Sequence, residues 1–405
     1  MAETDGNGAQ RVPRLQSALV HLQEGRPADA EGLLRMVLAV DPKNADALNL
    51  LGIALQTQGR AEHAVPLMAE AVAINPLSAM YRANYGAALA LCGRGRDAAE
   101  QLEAAIEIRP DNRLAARNLG VVLAGIHRGK GAVEVLRRAV GLAPDAPEPR
   151  LAIAHALLEA GQGHEAAEAA SAVLELNPTA KQAEQARFLR EAAAGTAPER
   201  APAMYVKELF DVYAPHFDAE LEGKLRYRTP GLLGEMLAQI DPAPRGAALD
   251  LGCGTGLSGL VLKPFATRLV GVDISPKMLE EAAKRDAYDE LVEADFLDWM
   301  PRQPPGSITV ALAADVLNYL GDLTPTLAAL APLLAPGGVF AFSLEKNEEG
   351  KAYGLSHALR FTHDADAVIA AGAALGYEVA VRAEAEMRIE AGKPVIGALL
   401  VLRKA

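Results

Sequence analysis

Residues 248–256 read ALDLGCGTG: an apolar run ends in an acid, Asp250, and Gly252, Gly254 and Gly256 follow on alternate positions. The pattern predicts a buried strand, a tight turn and a helix start. Glycine suits such a turn because its φ angles disfavour a Cβ. It also lets a ligand at the mouth of a parallel sheet press on bare backbone.

With Gly259, the same residues spell GxGxxG, a dinucleotide fingerprint that is weak alone. A dinucleotide sets its pyrophosphate on the helix N-terminus. The carboxylate of Asp250 suits an ammonium and a nearby sulfonium better than a pyrophosphate. The loop is therefore read as a site for S-adenosylmethionine.

Around it the sequence alternates. Strands are predicted at 268–272, 291–292, 308–313 and 338–343, and helices at 276–285, 323–334 and 366–375. Two last strands, 378–389 and 395–403, are joined as a hairpin at Ala391 and Gly392. Alternation of this kind means a doubly wound, mostly parallel α/β sheet with helices on both faces. The closing antiparallel hairpin is unusual for a dinucleotide fold.

The segments 249–256, 272–275 (VDIS), 294–296 (ADF) and 334–338 (LAPGG) resemble, in order, the motifs of class I S-adenosylmethionine-dependent methyltransferases. The resemblance covers roughly 203–405. It implies that Gly252, Gly254 and Gly256 contact the methionine part, with Asp250 near its amino end. Asp273 would take both ribose hydroxyls, and Ile274 and Met278 would flank the adenine. Asp295 would accept from the adenine amino group, and Phe296 would donate its backbone N–H to the ring.

Methyl transfer to an activated carbon asks the protein mainly for positioning. The stretch 313–319 (AADVLNY) lacks the Asn/Asp-Pro-Pro-Tyr pattern of amino-group methylases that act on DNA bases; Asp315 and Tyr319 are read as facing the cofactor and acceptor. The polar segment 346–364 holds Tyr353, His357, Arg360 and His363. His363, just before a helix start, is the candidate base, with Arg360 and Tyr319 beside it. A helical stretch from Tyr205, with Tyr213, His216, Phe217, Tyr227 and Arg228, is read as a lid over the site, or as plain core packing.

In the first half the spacing is different. Prolines fall at 42, 76, 110, 144 and 178, and alanines at 30, 64, 98, 132 and 166, each with a period of 34. A small residue recurs at Ala18, Gly52, Gly86, Gly120 and Ala154. Periods of this length mean stacked helical hairpins. The small residues mark close helix approach, and the prolines end the second helix of each copy. The pattern resembles the tetratricopeptide repeat family, with repeats starting at Arg11, Ala45, Ala79, Arg113 and Pro147 and a capping helix at 181–193. The resemblance implies an α-solenoid that binds a protein or peptide on a concave face. No lysine clamp is visible there; Asn84 and Asn118, in register, are the candidate contacts.

The chain has 405 residues and a net charge of -12. It offers no basic face for nucleic acid. Two cysteines, Cys92 and Cys253, in separate segments build neither a disulfide framework nor a thiolate metal site, and no metal is expected. The polar N-terminus is unlike a signal peptide, and no apolar run reaches the ~20 residues of a membrane span. A cytoplasmic protein is expected, with a disordered tail at 1–10, a repeat array at 11–194, a linker at 195–202 and a catalytic domain at 203–405. The rival reading is a protein-binding scaffold with a cofactor fold that does not turn over.

Overall fold

The computed structural model describes residues 11–125, 129–142, 144–145, 147–214, 217–218, 221, 225–240, 246–347, 350–356, 358–390 and 392–405. The expected tail, His216, His357 and Ala391 lie outside the described residues. The chain forms two compact units, Met1–Pro178 and Thr179–Ala405.

The first unit is built, among the described residues, from ten helices, α1 (Arg11–Gln23) to α10 (Gly163–Leu174). The first helices of the pairs start at Arg11, Ala45, Ala79, Arg113 and Pro147, as the 34-residue register requires. Asn44, Ser78 and Asn112 cap three of them by accepting from the backbone N–H of Ala47, Tyr81 and Ala115. A Cβ on Gly52 would stand 2.6 Å from Met68, and one on Gly86 2.7 Å from Leu102. Those glycines allow the close approach that the register implied. Asn84 donates to the buried Asn49 Oδ1 at 2.9 Å. Its amide is thus held by an asparagine one repeat earlier, a partner the sequence reading did not assign it; Asn118 is half-buried.

The second unit holds a seven-stranded sheet: β1 (Ala247–Leu251), β2 (Arg268–Asp273), β3 (Glu290–Glu293), β4 (Ile308–Ala313), β5 (Leu334–Glu345), β8 (Tyr377–Glu390) and β9 (Lys393–Lys404). Their order is β3-β2-β1-β4-β5-β9-β8. β1 to β5 pair in parallel, and β9 joins β5 and β8 antiparallel. Alternate residues feed two cores, Leu249, Val270 and Phe340 on one face and Ala248, Leu269 and Val310 on the other. The order reverses at β1 and β4, so the crevice for a ligand opens there.

Three expectations change. The helix Ala180–Ala193, read as a cap on the array, lies in the second unit; its Phe188 meets Tyr205 at 5.7 Å, and Lys181 pairs with Glu208. The connector 195–202 is not a free tether, because Ala201 N donates to Tyr319 O at 2.9 Å and Gly321 N to Glu199 O at 2.8 Å. The segment 346–364 is not wholly a polar loop. It holds a ribbon of β6 (Tyr353–Leu355) and β7 (Phe361–His363), anchored by the fully buried Phe361.

These contacts set the boundary for a fragment. Residues 179–405 expressed alone are expected to fold cooperatively, since repeat helices contact mainly their neighbours. A fragment beginning at 203 would lose the Phe188 and Lys181 contacts and is expected to be less stable. Equal melting temperatures for the two fragments would count against this boundary.

Candidate active site

The three loops that follow β1, β2 and β3, with the turn after β4, enclose a cavity of about 220 Å³. Gly252, Gly254, Thr255 and Ser258 line it from the first loop, and Asp273 and Ile274 from the second. Asp295 and Phe296 come from the third, and Asp315, Asn318 and Tyr319 from the fourth. Ala203, Val206 and Phe210 of the helix Ala203–Tyr213 close one side. Arg360 and Arg388 also reach the wall.

The glycine loop requires its glycines for separate reasons. Gly252, Gly254 and Gly256 have φ of 61°, 53° and 89°, where a side chain is strained. Among the described residues, apart from its own chain neighbours, nothing lies within 4 Å of where a Cβ on Gly254 would stand, so that backbone offers open space to a ligand. Gly259 and Gly271 serve another purpose. A Cβ on either would collide with the Tyr288 ring, at 2.4 and 2.8 Å. The last glycine of the fingerprint therefore makes room for a tyrosine rather than a phosphate.

Tyr288 reaches through that space to donate to Asp250 Oδ2 at 2.6 Å. Asp250 is 1% exposed, its Oδ1 has no partner among the described residues, and it does not line the cavity. The expectation that Asp250 touches the ligand is corrected: its side chain turns beneath the loop and holds Tyr288. Burial pushes its pKa up to about 7 from 3.8, against the pull of the Tyr288 hydroxyl. A raised carboxylate pKa means that the folded state favours the protonated form. The stability it contributes is present below about pH 4 and is lost as pH rises through about 7. Tyr288→Phe removes the donor and raises that pKa further. The variant is expected to lose about 1–3 kcal/mol at about pH 8 and less at about pH 5, read from urea unfolding at both.

Asp273 accepts from Gly254 N at 2.9 Å and Ser275 N at 2.8 Å, and still faces the cavity. Burial raises its pKa although the backbone amides of Ser275, Gly254 and Ile274 pull it down. Asp295 Oδ1 caps the short helix after β3 by accepting from Leu297 N at 3.0 Å, while the guanidinium of Arg200 binds its Oδ2. Ile274 and Phe296 line the cavity, whereas Met278 is fully buried outside it. Its position in the first turn after Ser275 points it into the core.

Helix Ala203–Tyr213 and the residues after it are fastened to the same loops. Ser275 Oγ donates to Asp211 at 2.6 Å and Thr255 Oγ1 to Asp218 at 2.5 Å, while Lys207 pairs with Glu293 at 2.5 Å. Arg285 binds both Asp218 and the Thr255 carbonyl. Phe210 and Phe217 line the cavity, so this stretch covers the site rather than only filling core.

The far end of the cavity is charged. Arg388 on β8, 4% exposed, donates to Asp315 Oδ2 at 3.0 Å and Glu345 Oε1 at 2.5 Å and lies 3.4 Å from Glu390. Arg360 pairs with Glu390 at 2.5 Å and Glu345 at 3.1 Å. Asp315 has φ of 53°, a strained value for a non-glycine residue, held by bonds through both its backbone N–H and its Oδ1 to Ser343 Oγ. Burial pushes the Tyr319 phenol up to about 12, so it stays protonated.

His363 does not belong to this wall. It is 2% exposed, absent from the cavity lining, and its Nε2 lies 2.8 Å from the Leu320 carbonyl and 3.1 Å from that of Gly321. Nε2 must donate there, and burial lowers its pKa. The expected base is thus a brace between β7 and the turn after β4. Its pattern position before the helix start is real, but β7 pairing turns its side chain inward. Of the three expected acceptor-side residues, Arg360 and Tyr319 reach the cavity. Sequence reasoning missed Asn318, Arg388, Arg200 and Tyr288.

Among the described residues, no cluster of three or more His, Cys, Asp or Glu is arranged to hold a metal ion, and no helix is long and apolar enough to cross a membrane.

The comparisons with known proteins agree with both units. A family model described as a methyltransferase domain matches residues 249–340, and one described as a tetratricopeptide repeat matches 15–79 and 93–147. The chain is similar to the trans-aconitate 2-methyltransferase of Sinorhizobium fredii, 36% identical over 115 residues, which cover 28% of this chain and 44% of that protein. The protein of that name from Methylobacterium radiotolerans is 40% identical over 116 residues, 28% of this chain and 43% of its own. The chain thus spans less than half the length of these relatives. A crystal structure of MamA protein covers 45% of this chain and 96% of its own, at 21% identity and a TM-score of 0.38.

Proposed function

We propose that this chain, which carries a methyltransferase domain behind tetratricopeptide repeats, is an S-adenosylmethionine-dependent methyltransferase whose repeat array recruits a protein or peptide. The observation that carries the cofactor assignment is the open space over Gly254, beside a carboxylate that faces the same cavity. When bound, the cofactor supplies a methyl group already activated by its sulfonium. The bare loop backbone and Asp273 fit its methionine and ribose parts, and Ile274 and Phe296 flank the adenine. Asp295 meets the adenine amino group only as Arg200 yields, since both its oxygens are engaged. The array's face around Asn84 and Asn118 receives the recruited chain.

The relatives' name points to a carboxylate, trans-aconitate, as one acceptor class. The reading tested first is narrower. Calorimetry is expected to register binding of S-adenosylmethionine and none of NAD. Binding of NAD alone would sink the proposal. Transfer of labelled methyl groups into a cell extract distinguishes turnover from mere binding.

A further inference from the structure

Asn318 sits in the short turn Leu317–Tyr319 after β4 and lines the cavity at its charged end. It is 6% exposed. Its Nδ2 donates to Glu345 Oε1 at 3.2 Å, which fixes the orientation of the amide; a flipped amide would set two acceptors face to face. The other end, Oδ1, is buried and has no partner among the described residues. A buried carbonyl oxygen without a donor is costly, so it calls for a ligand that brings an N–H or O–H.

The charges beside it narrow the ligand. Three carboxylates, Asp315, Glu345 and Glu390, surround two guanidinium groups, Arg360 and Arg388. Both cations are engaged by carboxylates, and the cluster keeps one negative charge in surplus. A carboxylate acceptor would find no uncommitted cation at this end of the cavity among the described residues and would face the Asn318 carbonyl, acceptor against acceptor. A nitrogen with hydrogens on it satisfies both needs, giving Asn318 Oδ1 a donor and, when protonated, offsetting the surplus charge.

We propose that the methyl acceptor is an amine, received by Asn318 Oδ1 and the Asp315 carboxylate. The inference rests on the methyltransferase reading and adds the acceptor class to it. An arriving ammonium must first give up a proton, and Asp315 is the member of the cluster's three carboxylates that lines the cavity. Its burial raises its affinity for that proton. The amine lone pair then forms the N–C bond while the S–C pair stays on sulfur. The nitrogen, left positive, sheds a second proton to solvent to give the N-methylamine.

The experiment uses the full chain saturated with S-adenosylhomocysteine and follows ligand binding by calorimetry or NMR, independently of turnover. Butylamine is expected to bind at least tenfold more tightly than butyrate. Asn318→Leu is expected to lose that preference while keeping its melting transition. If Asn318→Leu does not fold, the amine-to-carboxylate comparison on the wild type stands as the test. Butyrate binding as well as or better than butylamine, or neither binding, overturns the proposal. Failure of S-adenosylhomocysteine itself to bind would instead overturn the methyltransferase reading. Two further arms separate the sources of the amine. Enzymatic methylation of a lysine-bearing peptide but not of butylamine assigns the site to a protein side chain, and the reverse assigns it to a small molecule. Methylation of the peptide at oxygen, with no nitrogen methylated in either substrate, overturns the amine assignment.

Discussion

Arg388→Met is expected to destabilise the second unit by about 3–5 kcal/mol, the scale for breaking a buried ion pair from one side. The side chain is 4% exposed and contacts Asp315, Glu345 and Glu390. Methionine fills much of the same volume, so the loss comes from charge and not from a cavity. Without the guanidinium, carboxylates stay buried with only Arg360 to offset them. The cost has a pH signature. In the intact protein Glu390, although burial raises its pKa, is held below the ordinary carboxylate range by Arg360 and Arg388. Such a group stabilises above its unfolded pKa and loses that contribution as pH falls through the folded one. In the variant the sign reverses, because unpaired buried carboxylates prefer the proton. The deficit is therefore expected to be largest near neutral pH and to shrink toward about pH 4. Urea unfolding at several pH values reads this directly. A deficit under about 1 kcal/mol at neutral pH would mean that the cluster is not held by Arg388.

The same residue explains what the sequence reading lacked. Arg388 and its partner Asp315 are 73 positions apart. Nothing in the local spacing of either marks the pair; only the insertion of β9 between β5 and β8 brings β8 to the end of the cavity. Asn318 lies in the stretch 313–319, yet its unpaired oxygen depends on Glu345, which sits on β5 rather than in that turn. His363 failed as a base for a related reason. Its register on β7 decides which way it faces, and a one-residue difference in pairing would reverse it. By contrast, the glycine loop, Asp273 at the end of β2, Asp295 just after β3, and the 34-residue repeat are local patterns. Each repeats or orders itself along the chain, so the fold of both units could be read from the sequence alone. Tyr288 shows the limit of even a good motif. Gly259 and Gly271 advertise space, but the sequence does not say whether ligand or protein fills it.

Asp273→Ala is expected to weaken S-adenosylmethionine binding by about 1.5–3 kcal/mol, roughly 10- to 150-fold. Two losses combine. On the proposed reading the ribose loses a carboxylate acceptor, and Gly254 and Ser275 lose the oxygens that hold their N–H groups. Asp273→Asn separates the two, because the amide keeps one carbonyl acceptor for the backbone while removing the charge. It is expected to fall between wild type and alanine in affinity and to melt closer to wild type. Acidity supplies an independent check. Burial raises the Asp273 pKa, so protonation competes with hydroxyl binding at a higher pH than for an exposed aspartate. Wild-type affinity is expected to drop as pH falls through that range, and the asparagine variant to show a flatter profile. Calorimetry with S-adenosylhomocysteine gives the same comparison without turnover. Alanine and wild type binding alike would show that the ribose is held elsewhere and that Asp273 serves only to set the turn between β1 and β2.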